Sequence, residues 1–164
     1  MGPHFSLRLV KKLVFVALAG LLAGPVCAQR PASASEAAPT AVLSPAAPAP
    51  VGPYSQAIRA GHTVYVSGQL PLDAATGQLV GGGDVKAETQ QVMKNLAAVL
   101  AAAGFSLRDV VKCSIYVKDL GSFAAVNDAY GGYFNGGSAP ARETVQVSAL
   151  PKGAQVEISC VAVK

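Results

Sequence analysis

The chain has 164 residues, enough for one domain or one domain with a tail. It is 51% hydrophobic and only 13% charged, which excludes a disordered chain of polar, highly charged composition. The formal charge of +4 invites a nucleic-acid or membrane-surface reading, but its distribution along the chain removes that support.

Residues 1–28 carry Arg8, Lys11 and Lys12, then the apolar run Leu13–Leu22, then Val26-Cys27-Ala28. A basic front, an apolar middle and a small-residue end make a secretory signal peptide. The apolar stretch is short for a membrane span, which needs about 20 residues. The expected location is periplasmic or secreted, with no membrane attachment once the signal is cleaved. Without the signal, ten basic residues face nine acidic ones. No Lys/Arg run remains to follow a phosphate backbone, so no nucleic-acid partner is expected. Residues 29–50 are rich in Pro, Ala and Ser with no apolar period, and read as a linker. The folded domain is expected over 51–164.

Gly52-Pro53-Tyr54 forms a turn-like entry. Residues 54–59 and 63–67 read as two strands around a Gly61-His62 turn. Leu70 to Gly83 is loop. Asp84 stands where a helix N-cap belongs, and Val85, Thr89, Val92, Met93, Leu96, Val99 and Leu100 follow at helical spacing. That helix ends near Gly104. Val110–Lys118 alternates, placing Val111, Cys113, Ile115 and Val117 on one face. A second helix is expected over 120–134, with Phe123, Val126, Tyr130 and Phe134 on its apolar side. Strands over 142–148 and 155–163 close the chain. The order predicts an α+β or α/β layer, a mixed sheet with two helices on one face. Glu157, Ser159, Val161 and Val163 point away from the helices, a mixed surface that suits a subunit interface. Cys113 and Cys160 fall on buried faces and are expected to be core thiols, with a disulfide as the alternative.

Several chemistries lack their residues. His62 is the one His outside the signal, and no Gly-x-Ser-x-Gly elbow accompanies it. No His, Cys, Asp or Glu cluster has metal-ligand spacing, so no metal is expected. GQLVGGGD lacks the Lys-Ser/Thr of a phosphate loop. What remains is Arg142, sharing a strand face with Thr144, Gln146 and Ser148, and Glu157, alone among apolar neighbours. These fit a structural ion pair or an exposed edge Glu. They equally fit a site in which the Arg takes a substrate carboxylate and the Glu handles a proton or a water. Pattern alone leaves both open.

Five stretches carry a resemblance: GPYSQAI at 52–58, VSGQLPLD at 66–73, QVMKNLAAVLAAAG at 91–104, VVKCSIYVKDLGSFAAVNDAYGGYF at 110–134 and PARETVQVSALPKGAQVEISCVA at 140–162. In their order and spacing the chain resembles the reactive-intermediate (enamine/imine) deaminase family, RidA or YjgF, over essentially all of 51–164. The resemblance implies a chorismate-mutase-like fold and a homotrimer with clefts between subunits. It implies hydrolysis of 2-imino acids or their enamines, such as 2-iminobutanoate and 2-iminopropanoate, to 2-keto acids and ammonia, without a cofactor. It places the substrate-carboxylate Arg on Arg142 and the water- and proton-handling Glu on Glu157. Substrate-binding positions fall on Tyr54, Ser67, Gly68 and Asn127. Thr144 stands where many members have Cys; that position is thought to act through its backbone, so tuning rather than loss is implied. An exported member departs from the usual cytoplasmic picture. The alternative function is a non-catalytic trimer binding small carboxylates or keto acids in the same clefts. A ribonuclease role, attributed to relatives, is disfavoured by export and by the single His.

Overall fold

The computed structural model describes residues 38–164. The expected signal, and the expected linker as far as residue 37, lie outside those residues. The strands are β1 (Thr40–Val42), β2 (Ala57–Ala60), β3 (Thr63–Gln69), β4 (Val110–Val117), β5 (Ala141–Gln146) and β6 (Val156–Val163). The helices are α1 (Val85–Ala102) and α2 (Phe123–Gly131). The sheet runs β1-β2-β3-β6-β4-β5. Every pairing is antiparallel except β4 with β5. A parallel pair needs a crossover, and α2 with its flanking loops supplies it.

Alternation on β3, β4 and β6 makes one face apolar, and the helices cover that face. Val64 and Val66, Cys113, Ile115 and Val117, and Val156, Ile158, Cys160 and Ala162 are buried there. Against them pack Val92, Met93, Leu96, Val99 and Leu100 of α1, and Val126 and Tyr130 of α2. The fold class is therefore α+β, a mixed sheet with two helices on one face. Asp84 caps α1 by accepting from the amides of Lys86 and Ala87. At the other end Gly104, at φ +80°, lets its own amide reach Ala101 O and that of Phe105 reach Leu100 O. The two bonds form a Schellman stop.

Three expectations are corrected. The linker ends before residue 50: Thr40–Val42 pair with Arg59, Ile58 and Ala57 as an edge strand. Ser44 and Ala47 are buried. The cause is Gln56, whose buried amide accepts from Ser44 N and donates to the carbonyls of Ser44, Ala47 and Pro48. One distant side chain gives this aperiodic segment the hydrogen bonds it cannot make with itself. Second, Val111 is 48% exposed while Val110 is buried. Val110 pairs with Ala162 and Lys112 with Val161, so Val111 is the extra residue of a β-bulge and turns outward. Third, the second helix is shorter than expected. Leu120–Ser122 form a 3-10 turn capped by Asp119, and α2 proper begins at Phe123, a residue 41% exposed rather than core.

Candidate functional site

Four of the expected site residues meet on the helix-free face of the sheet. Glu157 pairs with Tyr116 in the β4–β6 register, and both point away from the helices. A cleft of about 330 Å³ is lined by Val51, Tyr54, Ser67, Gly68, Leu70, Pro151 and Glu157. The Ser67 hydroxyl donates to Ser55 O at 2.7 Å, tying β3 to the segment that carries Tyr54. The Tyr54 hydroxyl accepts from Val51 N, which holds the ring across the cleft mouth. A Cβ on Gly68 would lie 1.8 Å from Glu157 Oε1. The carboxyl therefore occupies the space that any other residue at 68 would fill. Burial raises the pKa of Glu157 above the ordinary carboxylate value. A half-buried carboxyl of this kind can hold and release a proton at a reacting group.

The other three residues lie on the opposite face. Arg142 pairs with Cys113 and Thr144 with Ile115, so both side chains lie on the helix side of edge strand β5. The Arg142 guanidinium carbon stands 5.0 Å from the centroid of the Tyr130 ring and 5.6 Å from that of Phe123. Among the described residues the guanidinium makes no hydrogen bond and no ion pair. The ion pair of β5 belongs instead to Glu143, which joins Lys112 and Ser114 on the other face. Asn127 lies one turn beyond Phe123 and one before Tyr130 on α2. The Asn127 Oδ1, Tyr130 hydroxyl and Thr144 Oγ1 are buried without a hydrogen-bond partner. Unsatisfied buried polar atoms are rare and expensive, and three on the face that carries an uncommitted guanidinium mark a place built to receive a polar group.

Within one chain Arg142 and Glu157 do not meet. Their β4 partners, Cys113 and Tyr116, are an odd number of residues apart, which puts the two charges on opposite faces of the sheet. The structural Arg–Glu ion pair considered from sequence is thereby excluded within a chain. Sequence reasoning placed Phe123 and Tyr130 in the core and missed their place under Arg142. Their spacing with Asn127, four residues and then three, puts all three on one face of α2 and was the available signal.

Cys113 and Cys160 are direct partners across β4 and β6, free and buried, and burial pushes both thiols upward in pKa. Among the described residues no group of three or more His, Cys, Asp or Glu is gathered as metal ligands are.

The fold and these clusters define a class: a small α+β domain with a polar half-site on each face of its sheet. The family model described as Endoribonuclease L-PSP matches residues 44–164, and the chain belongs to that family, the RidA/YjgF family. Its match begins inside the segment pinned by Gln56, in agreement with the earlier start of the domain. Protein DfrA of Myxococcus xanthus is 54% identical over 125 residues, covering 75% of this chain and 94% of that protein. The mouse protein named 2-iminobutanoate/2-iminopropanoate deaminase is 49% identical over 118 residues, covering 72% of this chain and 86% of the mouse protein. The crystal structure of RidA from an Antarctic Psychrobacter matches with a TM-score of 0.73 at 44% identity, covering 76% of this chain and 99% of that one.

Proposed function

We propose that this protein hydrolyses 2-imino acids and their enamine tautomers, such as 2-iminopropanoate and 2-iminobutanoate, to 2-keto acids and ammonia. The observation that carries the reading is the uncommitted guanidinium of Arg142, lying over two rings on a face that also carries unpartnered polar atoms. Its planar fork suits a carboxylate taken bidentately. The names of relatives at about half identity support the same chemistry.

Arg142 fixes the carboxylate and so presents the adjacent C=N carbon. Glu157 takes a proton from a water as its oxygen bonds to that carbon. The same carboxyl returns that proton to nitrogen, giving the carbinolamine. It then takes the hydroxyl proton as the C=O bond forms and hands it to nitrogen as the C–N bond breaks. Both water protons leave with ammonia, and the keto acid remains. Imines hydrolyse readily in water, so positioning and one carboxyl that shuttles a proton at each of the two stages suffice. The raised pKa of Glu157 suits a group that must both take and give that proton.

Because the two charges lie on opposite faces of one sheet, we place the complete site between subunits of a homotrimer. The Glu157 cleft of one subunit faces the β5 edge of the next. Exposed Tyr65, Val145 and Val163 on the helix-free face favour burial there by a neighbouring copy. The signal-like residues 1–28 make this an exported enzyme, a reading that cell fractionation finding the protein in the cytoplasm would remove.

The first test generates 2-iminopropanoate with an amino-acid oxidase and traps the free imine with semicarbazide. The protein lowers the trapped signal, and Arg142→Ala abolishes that effect. An unchanged signal with the assembled wild-type protein overturns the reading. The Arg142 half-site alone would also serve a module that binds carboxylates without chemistry. Glu157→Gln separates the two, ending turnover but leaving keto-acid binding in place.

A further inference from the structure

We infer that Tyr130 and Phe123 are positioning residues that set the plane of the Arg142 guanidinium, and so determine affinity for the substrate carboxylate. This rests on the reading of Arg142 as a carboxylate receptor. A guanidinium is usually oriented by an acceptor that takes some of its five N–H groups. Arg142 has no such acceptor among the described residues. Among the described residues it lies over two aromatic rings of α2.

Rings hold a guanidinium through the face of its π-system and leave every in-plane N–H unspent. That arrangement gives a receptor charge and direction without a competing anion. The opposite face of the same strand shows the contrast. There Lys112 is matched with Glu143, which Ser114 also contacts, so that cation already has an anionic partner.

The ring of Tyr130 is itself fixed. It packs at a 43° tilt against Phe134 with centroids 4.7 Å apart, and its hydroxyl is buried without a hydrogen-bond partner. Burial raises the pKa of that hydroxyl far above its ordinary value, so it stays protonated and adds no negative charge beside the guanidinium. Phe123 differs in being 41% exposed at the first residue of α2. A large ring left in solvent is explained by the cation it covers.

Two ligands test this, a 2-keto acid (pyruvate) and its neutral amide, with binding measured by calorimetry on wild-type protein, Phe123→Leu, Tyr130→Leu and Tyr130→Phe. Leu keeps apolar volume and removes the π face. Each Leu variant is expected to weaken pyruvate about tenfold, the upper part of the range for a desolvated cation–π contact, and to leave the amide within about twofold. In turnover the same variants raise KM more than they lower kcat. Tyr130→Phe, which removes the hydroxyl and keeps the ring, retains more pyruvate binding than Tyr130→Leu, so the difference between these two variants reads the π face apart from the hydroxyl. Equal weakening of both ligands, or unchanged pyruvate binding in both Leu variants, overturns the inference. Should Tyr130→Leu fail to fold, half-exposed Phe123→Leu carries the test. Pyruvate binding that follows this pattern in a protein that hydrolyses no imine removes the deaminase reading and keeps the positioning role. Imine hydrolysis with pyruvate binding indifferent to the rings does the reverse.

Discussion

Glu157 stood out in the sequence because a carboxylate among Val, Ile and Cys is hard to bury, and Arg142 because it opens a strand after Pro140-Ala141. The resemblance then supplied their roles. Neither signal told that they lie on opposite faces, since that depends on the pairing register of three strands and not on either residue's own neighbours. The half-burial of Glu157 has a consequence for stability. Its folded pKa is raised, so the native state holds its proton to higher pH than the unfolded chain does. Stability therefore falls as pH rises from the unfolded value of the group through the folded one, and the penalty persists above that window. Glu157→Gln removes the penalty. Thermal melts should show the variant more stable than wild type at neutral pH, with the difference vanishing below about pH 4. A difference independent of pH would show that the carboxyl ionises as easily in the folded protein as in the unfolded chain.

Helices and central strands were legible because their signals are local. Asp84, the 3–4 spacing after it and Gly104 define α1 from end to end, and alternation on β4 and β6 assigns the core face. The misread elements are those fixed from a distance. Residues 40–48 have no period, and they join the domain through distant partners: pairing with β2 and the Gln56 amide, at least eight positions away. The loop before α1 is similar. Buried Glu88 accepts from Gly83 N and Gln155 N, joining that loop to the start of β6. Replacing Gln56 by Leu leaves three backbone groups of the 44–48 segment, Ser44 N, Ala47 O and Pro48 O, without that partner, while Ser44 O keeps the Ala47 amide. Denaturant unfolding should show a loss of about 3 kcal/mol, the sum of a few such penalties after partial rehydration. A loss under about 1 kcal/mol would mean that water replaces the amide.

At the scale of the whole molecule, the proposed shared cleft would make activity depend on neighbours. Arg142→Ala and Glu157→Gln proteins, each inactive alone, should regain activity when their subunits are exchanged. Random mixing at equal amounts gives about a quarter of the clefts both intact residues. No recovery, in mixtures whose exchange is verified by mass-tagged subunits, would place both groups in one chain and sink the shared cleft. The proposed trimer is drawn from the resemblance, because an exposed Tyr or Val in a single strand does not say which surface covers it.

Cys113 and Cys160 face one another across β4 and β6, two inner strands of the sheet, under both helices. A thiol reagent can reach them only when that packing opens. Their labelling rate is thus a clock for the rarest excursions of the native state, slower than amide exchange at the edge strands β1 and β5. Mass mapping should find both sulfurs reactive in denaturant and both silent in the folded protein. Finding them joined to each other would turn the clock into a clasp, closing the centre of the sheet covalently.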